Sequence, residues 1–204
     1  MVFLTLEFLD EHSLPAEAPS RRKAVSEAAA RLAVESGRAA FAGFPDNAVV
    51  AHRESGAPYF SSPSAGDEDL PRLSVSHAGN AVLVGISSGG IGVDVEPVAP
   101  LREPVLRRVF NINERNYVNK SATPDEAFAE VWTRKEAVCK AEEKGIKHAM
   151  ITPVCDEYGV LSFIRDSSGG KKWRLKTYFL PGREYCVSVC AEDSSLPREV
   201  RIKS

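Results

Sequence analysis

Apolar and polar residues alternate strictly in only parts of the chain, and those parts read as strands. Residues 1 to 9 form a first extended run. The stretch "LSVSHAGNAVLVGISSGGIGVDVE" reads as strand, turn, strand, turn, strand, with "AGN" and "SSGG" as punctuation. "NAVVAHRESGAPYF" holds the turn "ESGAP" between two extended runs, which predicts a hairpin. "SSPSAGDEDLP" reads as a polar loop. Beyond residue 151, "GVLSFIRD", "KWRLKTYFL" and "YCVSVCAED" predict three more strands, and the tail "SSLPREVRIKS" adds a short one.

Helical spacing appears in three places. "SRRKAVSEAAARLAVESG" sets Ala24, Ala28, Leu32 and Ala33 on one face and ends at Gly37. "LREPVLRRVFNINERNYV" does the same with Leu101, Val105, Leu106, Val109 and Phe110. "TPDEAFAEVWTRKEAVCKAEEKG" is the strongest signal. Thr123 with Glu126 predicts a capping box, Pro124 suits the first helical position, and Gly145 a stop. The halves resemble each other faintly. Each has a long helix closed by glycine, and aligning Gly79 with Gly182 sets Val84 on Val187 and Ile86 on Val189. The expected fold is therefore α+β in two similar lobes, a pseudo-dimer, each a small antiparallel sheet on a long helix. The first lobe spans residues 1–98 and ends in the strand "IGVDVEP"; the second spans 99–204.

Composition changes this picture little. A chain of 204 residues, 43% hydrophobic and 26% charged, can bury a real core. Its net charge of -2 gives no sign of a nucleic-acid partner. No apolar run approaches the roughly 20 residues of a membrane span, and the first residues read as a strand, not a signal peptide. Cys139, Cys155, Cys186 and Cys190 form no C-x-x-C, and with scattered histidines they read as reduced core residues of a cytoplasmic protein.

The chemistry lies in "IGVDVEP". Side chains i and i+2 share a strand face, so Asp94 and Glu96 point one way while Val93 and Val95 point the other. Burying two adjacent carboxylates without compensation costs several kcal/mol. A hydrated strand end avoids that cost, and so does a divalent cation with hard oxygen ligands. A helix supplies a further group: Trp132, Glu136 and Lys140 are four apart and share one face. They read as a surface pair beside a packing tryptophan, or as a third ligand with a phosphate-binding lysine. Glu142, Glu143 and Lys144 read as a solvated face.

"IGVDVEP", followed some 35 to 45 residues later by "WTRKEAVCKAEEKG", resembles the two-part signature of the 4'-phosphopantetheinyl transferases. The matching residues are Gly92, Val93, Asp94 and Glu96, then Trp132, Thr133, Lys135, Glu136, Ala137 and Lys140. Each half alone is weak; both at this spacing are specific. "SVSHAG" resembles a further family segment through Ser76 and His77. The length resembles the single-chain, two-lobed type that serves peptide and polyketide synthetases.

The resemblance implies transfer of the 4'-phosphopantetheine arm of coenzyme A to a serine of an apo acyl or peptidyl carrier protein. Adenosine 3',5'-bisphosphate is the by-product, and the enzyme is a monomer. It implies that Asp94, Glu96 and Glu136 hold Mg²⁺ and that Glu136, or a metal-bound water, takes the serine proton. Lys135 and Lys140 would meet phosphate or the reacting oxygen. His77, with Ser76, would contact coenzyme A phosphate, with Arg31 and Arg22 on the nucleotide side. Two departures remove positive charge there: Ala57 stands where the family often has lysine, and Glu27 where it often has arginine, leaving Arg31. Arg21, Arg22, Lys23 and Arg53 are the nearby candidates to compensate. Two other readings share these residues: a magnesium-dependent phosphohydrolase or nucleotidyl transferase, and a carrier-binding scaffold with a vestigial site. The scaffold would dock acidic carriers on Arg102, Arg107 and Arg108.

Overall fold

A computed structural model describes residues 1–144, 146–149, 151–165, 170, 172–192 and 195–203. The first half runs β1 (Val2–Phe8), α1 (Ala18–Ala40), β2 (Val49–His52), β3 (Pro58–Ser61), β4 (Arg72–Ala78) and β5 (Ala81–Ser87). Next come β6 (Ile91–Pro97), α2 (Glu103–Val109), α3 (Ile112–Lys120), α4 (Pro124–Ala141) and the short α5 (Ile146–Ala149). The chain closes with β7 (Cys155–Asp156), β8 (Gly159–Val160), β9 (Phe163–Arg165), β10 (Lys172–Phe179), β11 (Tyr185–Ala191) and β12 (Arg201–Lys203). Among the described residues no helix is long and apolar enough to cross a membrane.

These elements give a mixed α+β fold with two four-stranded sheets, ordered β12-β1-β5-β4 and β6-β11-β10-β9. Each is antiparallel except where the closing strand β12 lies parallel to β1. The strand Ile91–Pro97, read from sequence as the end of the first lobe, hydrogen-bonds to β11 in the second sheet, with Asp94 opposite Ser188 and Glu96 opposite Cys186.

Alternation along the strands sorts the core into three layers. Leu4, Leu6 and Leu83 of the first sheet meet Val93, Val95, Val187 and Val189 of the second. Helix α1 covers the outer face of the first sheet through Val25, Leu32 and Ala33 against Val82, Val84 and Ile86. Helix α4 covers the second through Phe128, Val131 and Val138, beside Trp173, Leu175 and Cys190. The order is therefore helix, sheet, sheet, helix. All four cysteines are buried and outside any disulfide, and burial pushes the Cys155 and Cys186 thiols up to about 12.

Several sequence expectations change. Gly37 does not stop α1, which continues to Ala40; a side chain there would strike the ring of Phe44 at 2.6 Å. The helix expected from residue 101 is two helices. Asn111 accepts from the Glu114 amide at 3.0 Å, and Glu114 accepts from the Asn111 amide at 2.8 Å, so a capping box begins α3 there. The box expected at Thr123 does not form: its hydroxyl bonds Glu126 Oε2 at 3.1 Å, and Glu126 also accepts from Arg183. The stop expected at Gly145 lies outside the described residues.

Candidate active site

Glycine 92 sets how closely strand and helix approach. A Cβ there would lie 2.0 Å from the Ala137 carbonyl oxygen and 2.3 Å from the Ala141 nitrogen. Only a bare backbone lets β6 lie this close to α4. Asp94 and Glu96 follow on the same face and so point at the helix. Trp132, Glu136 and Lys140 are the half-buried stripe of α4, while Thr133, Arg134, Lys135 and Ala137 around them are buried.

That buried side fixes the helix in rotation. Thr133 Oγ1 shares a 2.8 Å hydrogen bond with Ser188 Oγ on β11, and Arg134 donates to Thr177 on β10 at 2.9 Å. Lys135, expected at phosphate, is fully buried: its ammonium lies 3.0 Å from Glu114 Oε1 and donates to the Thr152 carbonyl at 2.9 Å. Glu114 also accepts from the Val154 amide at 3.0 Å. This pair ties α3, α4 and the 152–154 segment together. An ammonium so enclosed cannot reach a substrate in the cleft, so Lys135 holds structure here.

The carboxylates form one electrostatic group. Asp94 is 4% exposed, and its Oδ1 accepts from Ser76 Oγ at 2.7 Å and Lys140 Nζ at 2.8 Å. Its Oδ2 is buried with no hydrogen-bond partner of normal geometry. Burial raises the Asp94 carboxyl, against the pull of Lys140 and Ser76. Glu96 Oε1 accepts from the Trp132 indole at 3.0 Å; burial, then the charge of Asp94, raises its carboxyl. Burial and Asp94 likewise raise that of Glu136. Lys140 and Arg102 draw both glutamates the other way, and the Arg102 guanidinium lies 5.1 Å over the Trp132 ring.

Hard oxygens, one of them buried and unserved, suit a divalent cation. Among the described residues no three acids converge on one point as they stand. Lys140 and Trp132 hold oxygens of two of them.

A cavity of about 870 Å³ opens beside this group. Glu136, Lys140 and Lys144 from the end of α4 and beyond line one wall; Arg53, Ala57 and Tyr59 of the β2–β3 hairpin, with Arg72 on β4, line another. Arg53 lies 4.8 Å over the Tyr59 ring, and its amide bonds the Ala57 carbonyl at 3.0 Å.

The other expected nucleotide contacts do not line this cavity. Ser76 is spent on Asp94, and His77 is exposed on the opposite face of β4, its pKa lowered by desolvation and by Lys140. Arg31 pairs with Glu7 at 2.9 Å. Arg22 is exposed and bonds its own helix at Ala18, while Arg21 pairs with Glu11 at 2.6 Å. Glu142 is not solvated: its side chain is 3% exposed, bonded to Lys144 and paired with His148.

The profile of the 4'-phosphopantetheinyl transferase superfamily matches residues 90–191, half of the chain and all of the strand-and-helix site, and the chain belongs to that superfamily. It is 31% identical over 113 residues to a putative 4'-phosphopantetheinyl transferase of Synechocystis, covering 52% of this chain and 46% of that protein. It is 27% identical over 143 residues to the 4'-phosphopantetheinyl transferase Sfp of Bacillus subtilis, covering 67% of this chain and 62% of Sfp. A shorter likeness, 35% over 92 residues, joins it to the fatty acid synthase subunit alpha of Candida albicans, of which it covers 4%. The chain thus spans about half the length of the first relative and somewhat more of the second.

Proposed function

We propose that this protein is an enzyme that transfers 4'-phosphopantetheine from coenzyme A to a serine hydroxyl of an apo acyl or peptidyl carrier protein. The observation that carries the reading is the face of Asp94, Glu96, Glu136 and Lys140 beside a cavity that also holds two arginines. Few sites need buried carboxylates and anion-binding cations side by side; a phosphoryl-type transfer with a bound cation does. Oxygens of Asp94, Glu96 and Glu136 would hold Mg²⁺, which would supply charge neutralisation of the pyrophosphate. Glu136, or a water held by the cation, would accept the serine proton. The serine oxygen forms the new P–O bond. The old bond breaks toward adenosine 3',5'-bisphosphate, which leaves with the electron pair.

On the nucleotide side, Arg53 and Arg72 take the place of the missing lysine at Ala57. The likeness to a 4'-phosphopantetheinyl transferase, and to a fatty acid synthase subunit, supports a carrier as acceptor. Arg102, exposed beside Trp132 and acting on Glu96 and Glu136, and Arg108, exposed on α2, suit an acidic partner. Four reduced, buried thiols suit the cytoplasm. We read the chain as a two-lobed monomer: strand, helix and hairpin recur as β1, α1, β4–β5 and again as β6, α4, β10–β11. On that reading the second unit begins with β6.

Incubation with coenzyme A, Mg²⁺ and an apo carrier is the test. The carrier should gain the mass of the arm, and Asp94→Ala should abolish the gain while the fold persists. No gain with the unaltered protein, alongside binding of the carrier, would favour the scaffold reading.

A further inference from the structure

Lys140 is engaged twice. Its ammonium bonds Asp94 Oδ1 at 2.8 Å, and its side chain, 31% exposed, lines the cavity. Of the three acids, Asp94 is the one its ammonium bonds; Glu96 is held by Trp132 instead. Asp94 is tethered from the far side by Ser76 at 2.7 Å, which leaves its Oδ1 doubly served and its buried Oδ2 bare. The uneven service shows where the ammonium stands: at the one oxygen that faces both β4 and α4.

We propose that Lys140 is the resident counter-ion of the acid group and is exchanged for the divalent cation on loading. The inference rests on the metal reading above and deepens it. An ammonium and a dication compete for the Asp94 carboxylate, and each is repelled by the other. Cation entry therefore releases the ammonium. The four-carbon stem, anchored on α4 at the edge of the cavity, carries it toward the space where an anionic ligand lies. The same lysine thus first neutralises the acids and then meets phosphate. Cation and anion bind with positive coupling, because each stabilises the lysine position that favours the other. Lys144 lines the same cavity but bonds Glu142, so it supplies field without taking part in the exchange.

Calorimetric titration with Mn²⁺ alone, in the absence of coenzyme A and carrier, tests this. Lys140→Met should bind Mn²⁺ about tenfold tighter than the unaltered protein or better, a change of ~1.4 kcal/mol. Lys144→Met should change affinity much less. With adenosine 3',5'-bisphosphate present, the unaltered protein should gain Mn²⁺ affinity, and Lys140→Met should lose most of that gain. Far-ultraviolet circular dichroism confirms that each variant is folded, and Lys140→Gln serves as the second variant should Lys140→Met unfold. Equal or weaker Mn²⁺ binding by folded Lys140→Met, or an equal gain in Lys144→Met, overturns the exchange while leaving the metal site standing. Absence of Mn²⁺ binding in both the unaltered protein and Lys140→Met overturns the metal site itself.

Discussion

Arg53 is the residue whose role changes most between sequence and structure. In the sequence it is one of four basic residues that are candidates to replace a lost lysine, and nothing ranks it above the others. The structure separates them by what each already touches: Arg21 is held by Glu11, Lys23 lies 3.9 Å from Glu27, and Arg22 leans on its own helix. Arg53 alone of the four lines the cavity, its guanidinium oriented by Tyr59. Stacking lowers the entropy lost when that planar group meets a phosphate. Arg53→Gln should weaken binding of adenosine 3',5'-bisphosphate about tenfold, ~1.4 kcal/mol. The melting temperature should not move, because the side chain is exposed and has no acid partner among the described residues. Unchanged affinity in a direct titration would remove Arg53 from the nucleotide side. The acids were far more legible than the cations. Asp94 and Glu96 are placed by strand parity alone, whereas a lysine's direction depends on partners distant in sequence. Lys135 sits next to Glu136 and looks equally available, yet Glu114, twenty-one positions earlier, encloses it.

Pairing and packing between elements decide what that local pattern does. The strands at Arg72–Ala78, Ala81–Ser87 and Ile91–Pro97 were readable from alternation and turn glycines, because both signals are local. The partner of Ile91–Pro97 was not. Sequence order puts it after β5 as a third meander strand, but it joins β11 instead. Between β5 and β6 the contact is face to face: Leu83 and Val93 share one core layer, and a Cβ at Gly85 would lie 2.3 Å from the Val93 side chain, so β6 lies across β5 and not beside it. Likewise, one apolar stripe over residues 101–118 hid a break at Asn111, since capping competes with periodicity only where the chain turns. The helix–strand contact at Gly92 gives a sharp prediction at this scale. Gly92→Ala puts a methyl into the backbone of α4, which cannot rotate away because Thr133, Arg134 and Lys135 pin it. It should cost about 3 kcal/mol or more in chemical denaturation. Transfer activity should also fall in protein that remains folded, because the strand carrying Asp94 and Glu96 is pushed from the helix carrying Glu136. A neutral result would mean that strand and helix do not meet at this residue.

Across the whole molecule, the two halves of the sequence share their interior. Leu4, Leu6 and Leu83 from the first half pack on Val93, Val95, Val187 and Val189 from the second. The closing strand β12 returns to β1, pairing Thr5 with Arg201 and Glu7 with Lys203, and Lys203 pairs with Glu35 on α1. Ser76 and Asp94 bridge β4 and β6, and Val93 donates its amide to Ser74 at 3.0 Å. Neither sheet has a complete core without the other, so neither half can open while the other stays shut at low cost. Unfolding should therefore be one transition. Both tryptophans, Trp132 and Trp173, lie in the second half, so their fluorescence follows that half alone, while far-ultraviolet circular dichroism follows all the strands and helices. In a urea titration the two signals should superimpose at one midpoint. Val187→Ala, which hollows the shared layer, should lower that midpoint for both signals together, by the ~1 to 3 kcal/mol expected for loss of buried methyl groups. A dichroism curve with two steps, only one accompanied by fluorescence, would mean that the halves hold separate cores and that the cavity between them is free to change width. A single step means that the cavity's walls are fixed by the same core that positions Asp94, so the distance between Arg53 and the acid group is set before any ligand arrives.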